Sequence, residues 1–252
     1  MGGSMARGLA ADPSFPTADI TVCSPNRHGE LDALKADFPD INVSTDNEQA
    51  ITGTDIIILA VKPWLVYDVM DPLSQKIQWE RQMLVSVAAG ITLSQLENLS
   101  LCTPPAVFRV MPNTAIALRK SMTFICSFGA TGDQVKAVSD LFARLGAVMV
   151  IEEKQMPACM ALASCGIAYA MRYVRAASEG GVELGMKADL AKDIVLQTMQ
   201  GAAALLQASG NHPEAEIDKV TTPGGVTIKG LNAMEANGFT TSVIEGLKAS
   251  AK

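Results

Sequence analysis

Histidine, paired cysteine and positive charge are all scarce in this chain. Only His28 and His212 occur among 252 residues, and the five cysteines stand at 23, 102, 126, 159 and 165, no two with C-x-x-C spacing. Structural zinc needs closely spaced cysteine or histidine ligands, so no metal site is expected. Lys and Arg number 20 against 26 Asp and Glu, for a net charge of −6. No basic surplus exists to neutralise phosphates, so nucleic acid is not expected as a partner. Apolar runs such as "IIILAV" at 56–61 fall far short of the ~20 residues that cross a bilayer, so no membrane partner is expected either. The start shows no charged segment followed by an apolar stretch, and no signal peptide is expected. An odd number of cysteines without a signal sequence fits a reducing cytoplasm, with the thiols serving as small hydrophobes.

What is present is core-forming material. Hydrophobic residues make up 48% and charged residues 18%, enough for one large domain or two ordinary ones. The first 150 residues alternate two periods. β-rich runs lie at 19–24, 41–45, 55–61, 83–89, 106–112, 122–128 and 147–153, with helical stretches near 30–38, 64–77, 92–99 and 132–145. Continuous apolar strands separated by helices predict an α/β fold: a mostly parallel, doubly wound sheet covered on both faces. After Glu153 the strand signals end. Four helical stretches follow, one with apolar Ala191, Ile194, Val195, Met199, Ala202, Leu205 and Leu206 on one face, and Gly185 and Gly210 suit helix stops. The expected division is residues 1–152 and an all-helical 153–252.

In a doubly wound sheet, ligands bind at the carboxyl ends of the strands. At the first candidate end, "CSPNRHGE" (23–30) offers Ser24, Asn26 and Arg27 but no carboxylate until Glu30. Hydroxyl, amide and guanidinium together suit the 2′-phosphate of NADP better than the bare ribose of NAD. At "LAVKPW" (59–64), Pro63 restricts Lys62 to an extended backbone and exposes the amides and carbonyls of 60–62. In "SVAAG" (86–90), Ala88, Ala89 and Gly90 leave room for a flat ring, and in "RVMPNT" (109–114), Asn113 either holds an amide or satisfies a turn. The most distinctive stretch is "VTTPGGVTIKG" (220–230). Thr222 suits a helix N-cap and Pro223 the first helical position. Gly224 and Gly225 in a first turn would let an anion, most simply a carboxylate, approach bare backbone N–H groups. Thr227 adds a hydroxyl beside them.

"LAVKP", "SVAAG", "RVMPNT" and above all "HPEAEIDKVTTPGGVTIKGLNAMEANG" (212–238) closely resemble pyrroline-5-carboxylate reductase, in the family's order and spacing, from residue 1 to about 245. The resemblance implies reduction of the cyclic imine 1-pyrroline-5-carboxylate to L-proline by hydride from NADPH, with NADH as the alternative cofactor. It implies a Rossmann-type cofactor domain over 1–152 and a helical substrate-binding and dimerisation domain over 153–252, with active sites at the join. It further implies a homodimer, itself able to assemble into a ring of dimers. Carried over by motif, the cofactor positions are Gly2, Ser24, Arg27, Asn47, Ala60, Val61, Lys62, Pro63, Ala88 and Ala89. The substrate positions are Gly225, Val226, Thr227 and Glu153, with Thr227 the catalytic candidate through a hydrogen bond to the ring nitrogen. The sequence departs from the family at "SCGIAY" (164–169), where Cys165 and Ile167 replace serine and proline, and at Pro157, Met160, Lys219 and Thr222. These departures keep two alternatives open, a reductase of a related imine and an inactive dimeric member.

The opening "MGGSMARGLA" fits the same frame. In the family a first strand ends in a G-x-G-x-x-G turn that enters this helix. Met1 and Gly2 match the last two positions of that turn, and Gly2 is the glycine that packs helix on strand. The first strand and first two glycines have no counterpart here, and that strand would lie between those at 19–24 and 55–61. The expectation is that the native chain begins upstream; the alternative is a real truncation that weakens pyrophosphate binding. An intact mass near 26.5 kDa would favour the truncation.

Overall fold

A computed structural model describes residues 1–26, 28–100 and 104–251. It comprises two compact units, Met1–Ser164 and Cys165–Lys252.

The first unit runs α1 (Gly2–Ala10), β1 (Thr21–Cys23), α2 (His28–Asp37), β2 (Asn42–Ser44), α3 (Asn47–Ile51), β3 (Ile56–Leu59), α4 (Val66–Leu73), β4 (Met83–Ser86), α5 (Leu93–Glu97), β5 (Val107–Met111), β6 (Ser121–Phe128), α6 (Gly132–Ala143), β7 (Gly146–Val150) and α7 (Met156–Cys159). Each expected strand forms. They pair in two sheets, β1–β2 and β3–β4–β5–β6–β7, parallel at every step except β5–β6. Among the described residues no ladder joins β1 to β3. One hydrophobic cluster nevertheless serves both sheets. Ile20 and Ile41 beside the first pack with Met83, Phe108 and Ile125 of the second.

Helix α1 shows why its small residues matter. Met5, Ala6 and Leu9 point into that shared cluster. A Cβ on Gly2 would sit 3.1 Å from the Ala60 Cβ, and one on Gly8 would sit 2.6 Å from the Leu145 Cδ2. The helix can therefore lie directly on the end of β3 and on Leu145 only because those side chains are absent. Asp12, just beyond α1, fastens it in place. It accepts from the Ser14 backbone N–H at 3.0 Å and hydroxyl at 2.9 Å and from Arg144 Nη1 at 2.9 Å, with Arg119 Nη2 at 3.5 Å.

Local departures from expectation have local causes. The helix expected at 64–77 is a 3-10 turn, Pro63–Leu65, followed by the shorter α4. Beyond it Trp79 is buried and donates its indole N–H to the Ser74 carbonyl at 2.9 Å, drawing the chain off the helix path. Helix α3 and the 3-10 turn Thr114–Leu118 are too short to show a period; side-chain caps from Asp46 and Asn113 start them.

The second unit is all helical: α8 (Gly166–Glu183), α9 (Ala188–Ser209), α10 (Pro213–Val220), α11 (Val226–Ala236) and α12 (Phe239–Ser250). The stretch before it is not one regular helix, because α7 passes into a π-helical turn at Met160–Cys165. Among the described residues no helix is long and apolar enough to cross a membrane.

Candidate functional site

Parallel pairing aligns the carboxyl ends of the strands, and most of the expected cofactor positions lie there. The β3–β4 register sets Leu59 opposite Ser86, and Val87 N–H donates to the Leu59 carbonyl at 3.1 Å. This brings the Ala60-Val61-Lys62-Pro63 segment beside Ala88-Ala89. Lys62 is extended (φ −66°, ψ 146°) and Pro63 opens the next turn, as its imide ring requires. Lys62 Nζ lies 5.9 Å from the centre of the exposed Trp64 ring. Gly2 meets Ala60 at the same end. Helix α1 begins there without a side-chain cap, so its first N–H groups face outward, the usual arrangement for a dinucleotide pyrophosphate. Ala88 is buried in a second hydrophobic cluster with Val66, Leu84 and Leu96. The room expected for a flat ring is therefore at Ala89 and Gly90, both exposed.

Ser24 and Asn47 form a neighbouring group. Cys23 pairs with Ser44 across the two parallel strands, and Ser24 N–H donates to the Ser44 carbonyl at 3.2 Å. The Cys23 thiol donates to Asn47 Oδ1 at 3.0 Å. Arg27 lies outside the described residues, as does Cys102.

Glu153, expected near substrate, is tied into the first unit. Its Oε1 accepts from Leu93 N–H at 2.8 Å and from Arg109 Nη1 at 2.9 Å, joining the start of α5 to β5. Burial, with help from the Glu153 carboxylate, pushes the adjacent Cys126 thiol up to about 11, so it stays protonated and inert. Of the two readings open for Asn113, the turn is what forms. Its Oδ1 accepts from Ala115 N–H at 3.1 Å, and its Nδ2 donates to the Ala163 carbonyl at 3.4 Å. His212 likewise caps α10, accepting from Glu214 N–H at 3.3 Å.

The 220–230 stretch folds differently from the expected cap. Helix α11 begins at Val226 with Gly225 as its N-cap, not at Pro223 behind Thr222. The Gly225 N–H donates to the Thr222 carbonyl at 2.9 Å, and Gly224 has φ +72°. Proline second and a left-handed glycine third is a type II turn. A Cβ on Gly225 would meet the Thr222 Oγ1 at 2.5 Å, so a side chain there would displace the Thr222 hydroxyl. The consequence for chemistry survives: no side chain caps α11, and its first N–H groups are left for an anion. The Thr227 hydroxyl makes no hydrogen bond to another described residue, and Val226 beside it is 84% exposed.

A family model described as pyrroline-5-carboxylate reductase dimerisation matches residues 153–252, and one described as NADP oxidoreductase, coenzyme F420-dependent, matches residues 1–90. A pyrroline-5-carboxylate reductase of Dictyostelium discoideum is 36% identical over 99% of this chain, although the chain spans only 47% of that relative. A second from the same organism is 34% identical, with 100% of this chain and 88% of the relative covered. The enzyme of Arabidopsis thaliana is 32% identical, with 100% and 90% covered. Among solved structures, a pyrroline-5-carboxylate reductase from Coxiella burnetii superposes with a TM-score of 0.90 at 26% identity, covering 99% of this chain and 94% of that one. The Plasmodium falciparum enzyme, determined with NADP bound, gives 0.86 at 26% identity, covering 100% and 92%. The chain belongs to the pyrroline-5-carboxylate reductase family.

Proposed function

We propose that this chain reduces 1-pyrroline-5-carboxylate to L-proline with NADPH, within the cytoplasm, as a homodimer built through its helical unit. The observation that carries the reading is the start of α11, an uncapped helix N-terminus on a glycine turn, with a threonine hydroxyl one residue on that bonds to no other described residue. The substrate is small, planar and anionic. Its carboxylate suits the backbone N–H groups of Val226 and Thr227, where partial positive charge from the helix stabilises it. The Thr227 hydroxyl can then accept from the protonated imine nitrogen and hold the ring as that nitrogen becomes an amine. Protonation of the imine already activates C5, so the protein mainly orients the ring and needs no strong general acid.

The groups at the strand ends fit a dinucleotide. Gly2 leaves α1 close against Ala60, and the uncapped N–H groups of α1 suit a pyrophosphate. Ser24, Asn47 and Arg27 suit the adenosine ribose and its phosphate, and Ala60–Pro63 with Ala88–Ala89 suit the rest. When bound, NADPH supplies the hydride that C5 accepts. Glu153 acts, in this reading, by tying the start of α5 to Arg109 of β5. We divide the labour at 153, cofactor before it and substrate with dimerisation after it, and extend the dimer to a ring of dimers. Mass photometry of the purified protein checks the assembly.

The test is NADPH absorbance with 1-pyrroline-5-carboxylate and the full chain. Turnover is expected. Absence of turnover by folded protein would overturn the assignment.

A further inference from the structure

We infer that Cys23 is a positioning residue for the cofactor, its thiol fixing which end of the Asn47 carboxamide is left for the dinucleotide. The inference rests on the reading of Asn47 as a cofactor contact.

A side-chain amide presents either a carbonyl or an NH2, and turning it over exchanges the two. Next to a phosphate oxygen, such as those of the NADP 2′-phosphate, only the NH2 end is useful, since the carbonyl would face another acceptor. Some neighbour must select the orientation. Here that neighbour is the Cys23 Sγ–H, a donor, which takes Asn47 Oδ1 at 3.0 Å. Asn47 Nδ2 makes no hydrogen bond to another described residue and is left for a ligand.

The frame around the pair is rigid. Ser44, opposite Cys23 in the β1–β2 ladder, accepts at its hydroxyl oxygen from the Asp46 N–H at 3.0 Å and donates its hydroxyl to Gln49 Oε1 at 3.1 Å. Asp46 Oδ1 accepts from Glu48 N–H at 2.8 Å and Gln49 N–H at 3.3 Å. The backbone bearing Asn47 is thus held from both sides, and rotation of its side chain is the freedom that remains. Cys23 removes it. Burial first, and the Asp46 carboxylate second, push the Cys23 thiol up from its ordinary value of 9.0. It therefore stays a donor at neutral pH. A thiolate there would accept from Nδ2 and turn the carbonyl outward.

The experiment measures kcat and the KM for NADPH in the full-length protein carrying Cys23→Ala, Cys23→Ser, Asn47→Ala and Cys23→Ala with Asn47→Ala. A neutral hydrogen bond predicts that Cys23→Ala raises that KM about threefold to tenfold with kcat unchanged. Cys23→Ser, which keeps a donor, restores it to within about twofold. Adding Cys23→Ala to Asn47→Ala changes nothing further, because the thiol acts only through the amide. If Asn47→Ala raises the KM while Cys23→Ala does not, or if the two effects add, the inference fails and the cofactor reading stands. If Asn47→Ala leaves the KM unchanged, the reading of Asn47 fails and the inference with it. Matching thermal melts for the four variants separate these outcomes from misfolding.

Discussion

The two units of this chain differ in where their apolar surface goes. The first encloses Phe108, Phe142, Leu84, Ile41 and Met70 at 0% exposure. In the second, among the described residues, Ala191 is the one buried apolar side chain, while Met171, Leu184, Leu190 and Leu205 are each more than half exposed. Five helices cannot persist in water on that basis, because helical stability comes chiefly from burying an apolar face. The first unit is a core with a site at one edge. The second is a half-core, and the dimerisation family it matches describes what completes it.

The contrast breaks most sharply at the exposed helices. Leu190→Asp with Leu205→Asp should raise the dimer dissociation constant about 10,000-fold or more, since each buried leucine contributes about 1.5–3 kcal/mol and the symmetry counts it twice. Sedimentation velocity reads the change, and a variant that stays dimeric would contradict it. Next in size, Phe108→Ala should cost the first unit about 3–5 kcal/mol through the cavity it leaves. Chemical denaturation of that variant should show the loss independent of protein concentration, whereas melting of the helical unit should shift with concentration.

Arg27→Ala sharpens the contrast at the cofactor. A charge-assisted bond to a phosphate predicts about a tenfold or greater fall in the preference for NADPH over NADH. Steady-state kinetics with both cofactors measures it, and an unchanged ratio would remove Arg27 from the site. The smallest effect concerns α1. Ser14 and then Arg144 hold the Asp12 carboxyl down from 3.8 to about 2. A carboxyl depressed on folding contributes stability that is present above its unfolded value and disappears as pH falls through its folded one. Stability of the first unit should therefore drop between about pH 4 and pH 2, and Asp12→Asn should flatten that limb in an acid titration followed by circular dichroism.

The strands were legible because runs such as 56–59 and 83–85 are apolar at consecutive positions, as buried parallel strands must be. The turn before α11 was not. Proline at a first helical position and proline second in a type II turn have the same φ, and only Gly224 at +72° separates the two readings. Contacts across the sequence were equally hidden. Arg109 meets Glu153 from 44 residues away, and Cys23 meets Asn47 from 24, pairings that no local pattern announces.

The division of labour between the units is tested most directly by Thr227→Val, assayed for both substrate turnover and NADPH affinity. Loss of a hydrogen bond to a charged group predicts a fall of about 10- to 100-fold in kcat/KM for 1-pyrroline-5-carboxylate, with the Kd for NADPH unchanged. Unchanged turnover, or a loss of NADPH affinity in its place, would contradict a helical unit that serves the substrate alone.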